Sequence, residues 1–150
     1  MTTVTVDSEV AAPVERVFQV FTDLEHSAER VSNILKIEVL TTGGFKLGTR
    51  WLETRDMLGR PDSAEMEVTA FELNRTYTIT HHKAGARIDT VFTFEPVADS
   101  TKVRIEFVLE SHGLPPGLLA PMGWAIAGKV REVISRDLAD LKQSMEARPA

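Results

Sequence analysis

The feature that most limits the fold of this chain is a series of six segments between residues 34 and 111 in which apolar and polar residues alternate. Successive side chains of a β-strand point to opposite faces, so alternation predicts strands with one buried face and one wet face. Short stretches rich in glycine, proline, asparagine or aspartate separate the segments and predict turns. The predicted strands are ILKIEVL (34–40), TRWLETRDM (49–57), SAEMEVTAF (63–71), TYTITHH (76–82), RIDTVFTFEPV (87–97) and KVRIEFVLES (102–111).

A further strand and three helices are predicted on either side of this series. TVTVDSEVAA (3–12) alternates like a half-buried first strand. PVERVFQVFTDL (13–24) begins with a proline, which is favoured at a helix start, and has apolar residues at helical spacing. A short second helix is predicted within 25–33, and residues 116–146 carry one long apolar stripe with helical periodicity. A seven-stranded antiparallel sheet and the long helix each have one apolar side, so they are expected to cover each other.

The strand registers predict which side chains share the covered face of the sheet. Residues that face each other across an antiparallel pair lie on the same side. A turn around Gly59-Arg60 places Glu53 opposite Met66 and Trp51 opposite Val68. The later turns place Val68 opposite Ile79, Ile79 opposite Thr90, Tyr77 opposite Phe92, Phe92 opposite Ile105 and Thr90 opposite Phe107. One continuous inward face results, and it carries a carboxylate, Glu53, among apolar side chains.

Composition limits the classes of partner and site. A length of 150 residues fits a single domain, 1–150, and the net charge of -5 argues against a nucleic-acid partner. The absence of cysteine excludes disulfides and cysteine zinc sites, and histidine spacing predicts no metal site. We expect no cofactor. No signal peptide is recognised, and the longest apolar run, 117–128, is too short to span a bilayer. We therefore expect a cytoplasmic protein without stable membrane insertion, and the oligomeric state stays open.

Several motifs resemble one superfamily. They are VxxxFxVFTDLE in the first helix, VLTTGGFKLGTRWLETR across the glycine turn, MEVTAFELNRTY across the next hairpin, FTFEPV, and DLADLKQSME at the end of the long helix. With the order β-αα-β6-α, they resemble the START-like (helix-grip, SRPBCC) superfamily, and within it the polyketide cyclase/dehydrase-like proteins. The resemblance implies an α+β helix-grip fold, in which a seven-stranded curved antiparallel sheet wraps around a long C-terminal helix. It also implies a cavity between sheet and helix that takes an apolar small molecule or lipid. The segment HSAERVSN replaces an aromatic element that many members carry after the first helix.

The candidate ligand-binding residues are those predicted to face this cavity. Most lie on the inward face of the sheet, and two come from the long helix. They are Trp51, Glu53, Arg55, Met66, Val68, Tyr77, Ile79, His81, Thr90, Phe92, Ile105, Phe107, Met122 and Ile126. Trp124 falls outside the apolar stripe of the helix, which leaves open a role at the surface or at the cavity mouth.

Glu53 and His81 are the candidate catalytic residues if the protein is an enzyme. In apolar surroundings the charged form of Glu53 is disfavoured, so this residue could act as a general acid or base near neutral pH. His81, on the same face, could exchange a proton with it. The alternative for Glu53 is a structural ion pair with Arg55, or with Arg50 after a small twist, because an unpaired buried charge is costly. The alternative for His81 is a residue at the cavity rim that bonds to water.

Three functions remain open from the sequence. The first is binding or transport of an apolar small molecule or lipid, with Glu53, Tyr77 and His81 contacting its polar end. The second is a polyketide cyclase or dehydratase that uses Glu53 as general acid or base, with His81 or Tyr77 as its partner. The third is an interaction protein of the chaperone-activator kind, in which the outer surface matters. The residues contain no complete catalytic constellation, which favours binding.

Overall fold

The elements follow the predicted order of one strand, two short helices, six strands and a long helix. A computed structural model describes residues 1–57, 59–83, 85–111 and 116–146, with side chains for all of these except residue 57 and residues 111–126. The elements are β1 (Thr2–Val10), α1 (Val14–Phe21), a 3₁₀ turn (Leu24–His26), α2 (Ser27–Arg30), β2 (Ile34–Val39), β3 (Arg50–Met57), β4 (Arg60–Glu72), β5 (Thr76–Lys83), β6 (Ala86–Val97), β7 (Ser100–Ser111) and α3 (Pro116–Glu146).

All seven strands form one curved antiparallel sheet in the order β1-β7-β6-β5-β4-β3-β2. Consecutive strands from β2 to β7 are neighbours, as expected for short turns. β1 pairs with β7 over its whole length, so β1 and β2 lie at opposite edges of the sheet. The segment that contains α1 and α2 therefore crosses from one edge to the other. This is the helix-grip fold, and the predicted fold class is confirmed.

The predicted registers are confirmed in the second half of the sheet and wrong in one hairpin. Val68 lies opposite Ile79, and the predicted pairs of β5 with β6 and of β6 with β7 are present. In the β3–β4 hairpin, however, Trp51 lies opposite Met66, and Glu53 lies opposite Ala64. The strands pair up to Met57 and Arg60, and Gly59 in the turn has a φ of 82°, in the left-handed region that favours glycine. The turn is centred one residue earlier than predicted, which shifts every pair by two residues.

A β-bulge in β4 adds an aromatic residue to the core that the alternation did not predict. The register between β4 and β5 shifts between Val68 and Ala70, which places Phe71 opposite Tyr77. A bulge inserts one extra residue into a strand and changes which side chains face inward beyond it. The ring of Phe71 consequently packs against Phe18, with ring centroids 5.8 Å apart.

The core lies between the sheet, α1 and the C-terminal half of α3. Phe18 of α1 packs edge-to-face against Tyr77 and Phe94, with ring centroids 5.7 and 5.2 Å apart, an arrangement that aromatic pairs prefer. Helix α3 buries Ile134, Leu138, Leu141 and Met145. These residues recur at helical spacing, which is why this half of α3 is fixed against the sheet and α1.

Polar contacts hold α3 at three places along its length. Arg131 Nη1 donates to the carbonyl oxygen of Thr5 (2.9 Å), and Asp140 Oδ2 accepts from both the backbone N–H (2.9 Å) and the hydroxyl (2.8 Å) of Ser32. Glu146 Oε2 accepts from the backbone N–H of Ala11 (2.8 Å). Over the part of the chain that is described, no helix has both the length and the apolar character needed to cross a membrane.

Candidate functional site

A cavity of about 310 Å³ lies between the inward face of the sheet and the middle of α3. We call it the large cavity. Its volume is at the lower end of the range for small-molecule sites, roughly 300–1,000 Å³. The strands contribute alternate residues, and α3 contributes one side over two turns. The described lining residues are Glu53, Arg55, Asp62, Ala64, Met66, Ile79, His81, Lys83, Ile88, Thr90, Phe107, Lys129, Val130, Val133, Ile134 and Asp137.

A smaller cavity of about 90 Å³ lies beside it, towards α1 and the glycine-rich turn. Its walls include the aromatic residues Phe45, Trp51, Tyr77 and Phe92. Five residues line both cavities, and they are Glu53, Arg55, Ile79, Ile134 and Asp137. The charged residues among these five therefore stand between the two cavities.

Glu53, Arg55 and Asp137 form one buried ion-pair cluster. Arg55 Nε donates to Glu53 Oε2 (2.7 Å), and Nη1 donates to Asp137 Oδ1 (3.2 Å). Arg55 Nη2 also forms an ion-pair contact with Asp137 Oδ2 (2.9 Å). Trp51 Nε1 donates to the other oxygen of Glu53 (3.2 Å). The side-chain exposures of Glu53, Asp137 and Arg55 are 10%, 18% and 23%. The expected pairing of Glu53 with Arg55 is confirmed, whereas Arg50 pairs instead with Glu65 on the wet face (3.6 Å).

The electrostatics of the cluster follow from burial and from its excess of carboxylate. Burial lowers the pKa of Arg55, but Glu53 and Asp137 outweigh this effect and raise that pKa above its ordinary value. Burial raises the pKa of Asp137 above its ordinary value of 3.8, and the charge of Arg55 offsets only part of the change. The cluster therefore holds a permanent cation between two acceptor groups, and burial disfavours the charged form of Asp137.

His81 and Tyr77 are held in their neutral forms near the cluster. Burial lowers the pKa of His81 below its ordinary value of 6.5, and the opposing effect of Glu53 is smaller. Burial, with a further contribution from Glu53, raises the pKa of the Tyr77 hydroxyl well above 10.0. At neutral pH both side chains are uncharged, so His81 offers one nitrogen donor and one acceptor, and Tyr77 offers a hydroxyl.

The structure divides the predicted site residues between the two cavities. The large cavity receives Glu53, Arg55, Met66, Ile79, His81, Thr90 and Phe107. The small cavity receives Trp51, Tyr77, Phe92 and Ile105, together with Glu53, Arg55 and Ile79. Val68 is fully buried and lines neither of these two cavities. The side chains of Met122, Trp124 and Ile126 lie outside the described residues.

Asp137 and Phe45 are two of the lining residues that were not among the predicted site residues. Asp137 is three residues after Ile134 and four before Leu141, so it interrupts the apolar stripe of α3. A charged residue inside a buried stripe needs a partner, and this was a readable signal for a second acidic group at the site. Phe45 lies in the glycine-rich turn, and its ring packs against Tyr77 with centroids 4.9 Å apart. Its signal, a lone aromatic residue between glycines, is weak.

His26 lies in a small group of polar side chains next to α2. Ligand atoms of Asp23, Glu25 and His26 lie within 4.8 Å of one another on the surface. Asp23 Oδ2 already bonds to His26 Nδ1 (2.8 Å) and accepts from Arg30 Nη1 (3.0 Å). These contacts explain the group as local ion pairing at the start of α2. His112 is outside the described residues.

Comparison with known proteins identifies a family and several solved structures with a similar fold. The family described as polyketide cyclase/dehydrase and lipid transport matches residues 1–146. No curated protein sequence matches the chain. Among solved structures, a protein from Thermus thermophilus is similar with a TM-score of 0.78 at 20% identity, covering 99% of both chains. A START superfamily protein from Mycobacterium smegmatis is similar with a TM-score of 0.76 at 19% identity, and the match covers 97% of this chain and 99% of that chain. The Zhui aromatase/cyclase from Streptomyces sp. R1128 is similar with a TM-score of 0.74 at 17% identity, and the match covers 97% of this chain and 94% of that chain.

Proposed function

Because the chain belongs to the polyketide cyclase/dehydrase and lipid transport family, we propose that it binds an apolar small molecule or lipid in the large cavity. The observation that carries this proposal is the cavity itself, about 310 Å³ between β-strands and α3. Side chains such as Met66, Ile88 and Phe107 supply apolar walls, which favour transfer of an apolar molecule from water. Glu53, Arg55 and Asp137 add a small number of polar groups to these walls, a pattern typical of sites that orient a ligand.

The packing supports a preformed site. The C-terminal half of α3 is fixed by Ile134, Leu138 and Leu141, and the ion-pair cluster joins β3 to α3 through Arg55 and Asp137. The small side chains of Ala64 and Thr90 line the cavity from the strands. An interior of this kind is a poor match for the interaction-protein hypothesis, in which the space between sheet and helix would be filled.

A cyclase or dehydratase is the second candidate, and one observation favours it. Titratable groups with shifted pKa values gather where enzymes place acid and base residues, and here Asp137 and neutral His81 line the same cavity. Glu53, the proposed base, already accepts hydrogen bonds at both oxygens, from Arg55 and from Trp51. This arrangement suits a residue that positions Arg55 better than one that takes a proton from a substrate. Glu53→Gln tests this role, because it should abolish turnover if Glu53 is the general base of an enzyme and only change affinity in a carrier.

The binding proposal can be tested with a cavity-filling variant and a matched control. Ala64 lines the large cavity from β4, whereas Ala70 is exposed on the same strand. Titration with the neutral fluorescent probe N-phenyl-1-naphthylamine should show binding to the wild type and to Ala70→Phe. It should show at least about tenfold weaker binding to Ala64→Phe, because the new ring occupies the site. Equal affinity of the two variants, with native circular dichroism for both, would contradict the proposal.

A further inference from the structure

The ion-pair cluster gives the inner end of the large cavity an excess of negative charge. Two carboxylates, Glu53 and Asp137, surround one guanidinium, so the formal charge of the cluster is about -1 when both acids are ionised. Arg55 directs a nitrogen at Glu53 and two nitrogens at Asp137, so its binding capacity is largely used inside the protein. A ligand that reaches this end meets mainly acceptor oxygens.

The other cations of the described lining lie at the solvent side of the cavity. The side chains of Lys83 and Lys129 are each 49% exposed, compared with 10% for Glu53. Lys83 is also paired with Asp62. His81 is half-buried, and its lowered pKa leaves it uncharged at neutral pH. A carboxylate at the inner end would therefore be desolvated beside two acidic groups, a combination that costs free energy.

We propose that the inner end selects a ligand whose polar group donates a hydrogen bond, a hydroxyl or amino group, and that Asp137 is the residue that selects it. This inference rests on the proposed binding function and names the class of ligand. Asp137 fits the role better than Glu53 because both oxygens of Glu53 already accept hydrogen bonds, whereas the hydrogen bond from Arg55 to Asp137 uses Oδ1. The side chain of Asp137 is also the more exposed of the two, at 18% against 10%. Each carboxylate oxygen can accept more than one hydrogen bond, so a ligand donor can be added to the bonds from Arg55. The same oxygens repel an anionic group, and such repulsion is a common source of specificity.

The first test compares three probes with one ring system on the wild-type protein. They are 2-naphthol, which donates a hydrogen bond, 2-naphthoate, which is an anion at neutral pH, and 2-methylnaphthalene, which has no polar group. We expect 2-naphthol to bind at least about tenfold more tightly than either of the others, the effect of one hydrogen bond to a charged group. Binding of 2-naphthoate as tight as that of 2-naphthol would overturn the inference while leaving the binding function intact. If none of the three probes binds, the proposed function itself fails.

The second test assigns the selection to Asp137. Asp137→Asn keeps the shape of the side chain and removes its negative charge, and Asp99→Asn makes the same change in the exposed turn between β6 and β7. The preference for 2-naphthol over 2-naphthoate should fall about tenfold or more in Asp137→Asn and stay at the wild-type value in Asp99→Asn. Circular dichroism checks that both variants are folded, and the wild-type comparison stands if Asp137→Asn does not fold. An unchanged preference in folded Asp137→Asn would show that Asp137 does not set the selection and would overturn the inference.

Discussion

Replacing Arg55 with methionine should destabilise the protein more than any other single change in the ion-pair cluster. Methionine keeps much of the apolar stem of arginine but removes the guanidinium that pairs with Glu53 and Asp137. Removing one partner of a buried ion pair costs about 3–5 kcal/mol, because the other charge stays buried without compensation. Arg55 keeps 23% of its side-chain exposure, so we expect a loss at the lower end, about 3 kcal/mol.

The size of this loss should depend on pH with a defined sign. Arg55 lowers the pKa of Asp137, so its removal raises that pKa further above 3.8. A carboxyl group whose pKa is higher in the folded than in the unfolded state contributes stability that is present below its ordinary pKa, here pH 3.8. That stability is lost as the pH rises through the pKa of the folded state. The deficit of Arg55→Met relative to the wild type should therefore shrink as the pH falls from neutral into that window. The double variant Arg55→Met/Asp137→Asn should recover part of the loss at neutral pH.

Urea unfolding followed by far-UV circular dichroism measures these free energies. With a slope of about 2 kcal/mol per molar urea, a loss of 3 kcal/mol lowers the midpoint by about 1.5 M. Arg50→Met is the matched control, because Arg50 lies on the same strand and pairs with Glu65 on the wet face. Exposed pairs of this kind contribute about 0–1 kcal/mol. Equal losses for Arg55→Met and Arg50→Met, or a deficit that does not shrink in acid, would refute this account of the cluster.

Two further predictions concern the aromatic core and the cavity histidine. Phe18→Ala removes the ring that packs against Tyr77 and Phe94 and should lower the free energy of unfolding in urea by about 3–5 kcal/mol. Leu73→Ala is the control, because Leu73 is exposed and its truncation should change that free energy by no more than about 0.5 kcal/mol. Similar losses for the two variants would contradict the assigned core. In an NMR pH series the His81 ring should titrate with a pKa below its ordinary value of 6.5. His81 therefore contributes stability that is present above pH 6.5 and is lost as the pH falls through its pKa in the folded state. A ring that titrates at or above 6.5 would show that the site is more solvated than described.

The fold was predictable because alternation and turn residues act over short distances. A one-residue slip in a hairpin would expose its apolar face, so the pattern fixes which residues point inward. A two-residue slip keeps the faces unchanged, and the pattern cannot detect it. This is the error in the β3–β4 hairpin, where Glu53 faces Ala64 rather than Met66. The bulge that turns Phe71 inward was equally invisible, since it changes the register within a strand rather than at a turn.

The candidate site was only partly predictable because its key contact joins distant parts of the chain. Arg55 and Glu53 are close in sequence, and their pairing followed from sharing one face of β3. The contact of Arg55 with Asp137 spans 82 residues and depends on how α3 is rotated over the sheet. Alternation does not report that rotation. An acidic residue in the apolar stripe of α3 indicates a buried charge, but it does not identify the partner.

The most direct test of the binding site is an NMR measurement of contacts between N-phenyl-1-naphthylamine and assigned methyl groups. If the large cavity is the site, the probe should show nuclear Overhauser effects to the methyl groups of Ile79, Ile88 and Val133, which line it. The same probe should show none to Leu35 and Leu47, whose side chains are exposed outside it. Contacts confined to Leu35 or Leu47 would place the probe on the outer surface and contradict the proposal that this protein holds its ligand between the sheet and α3.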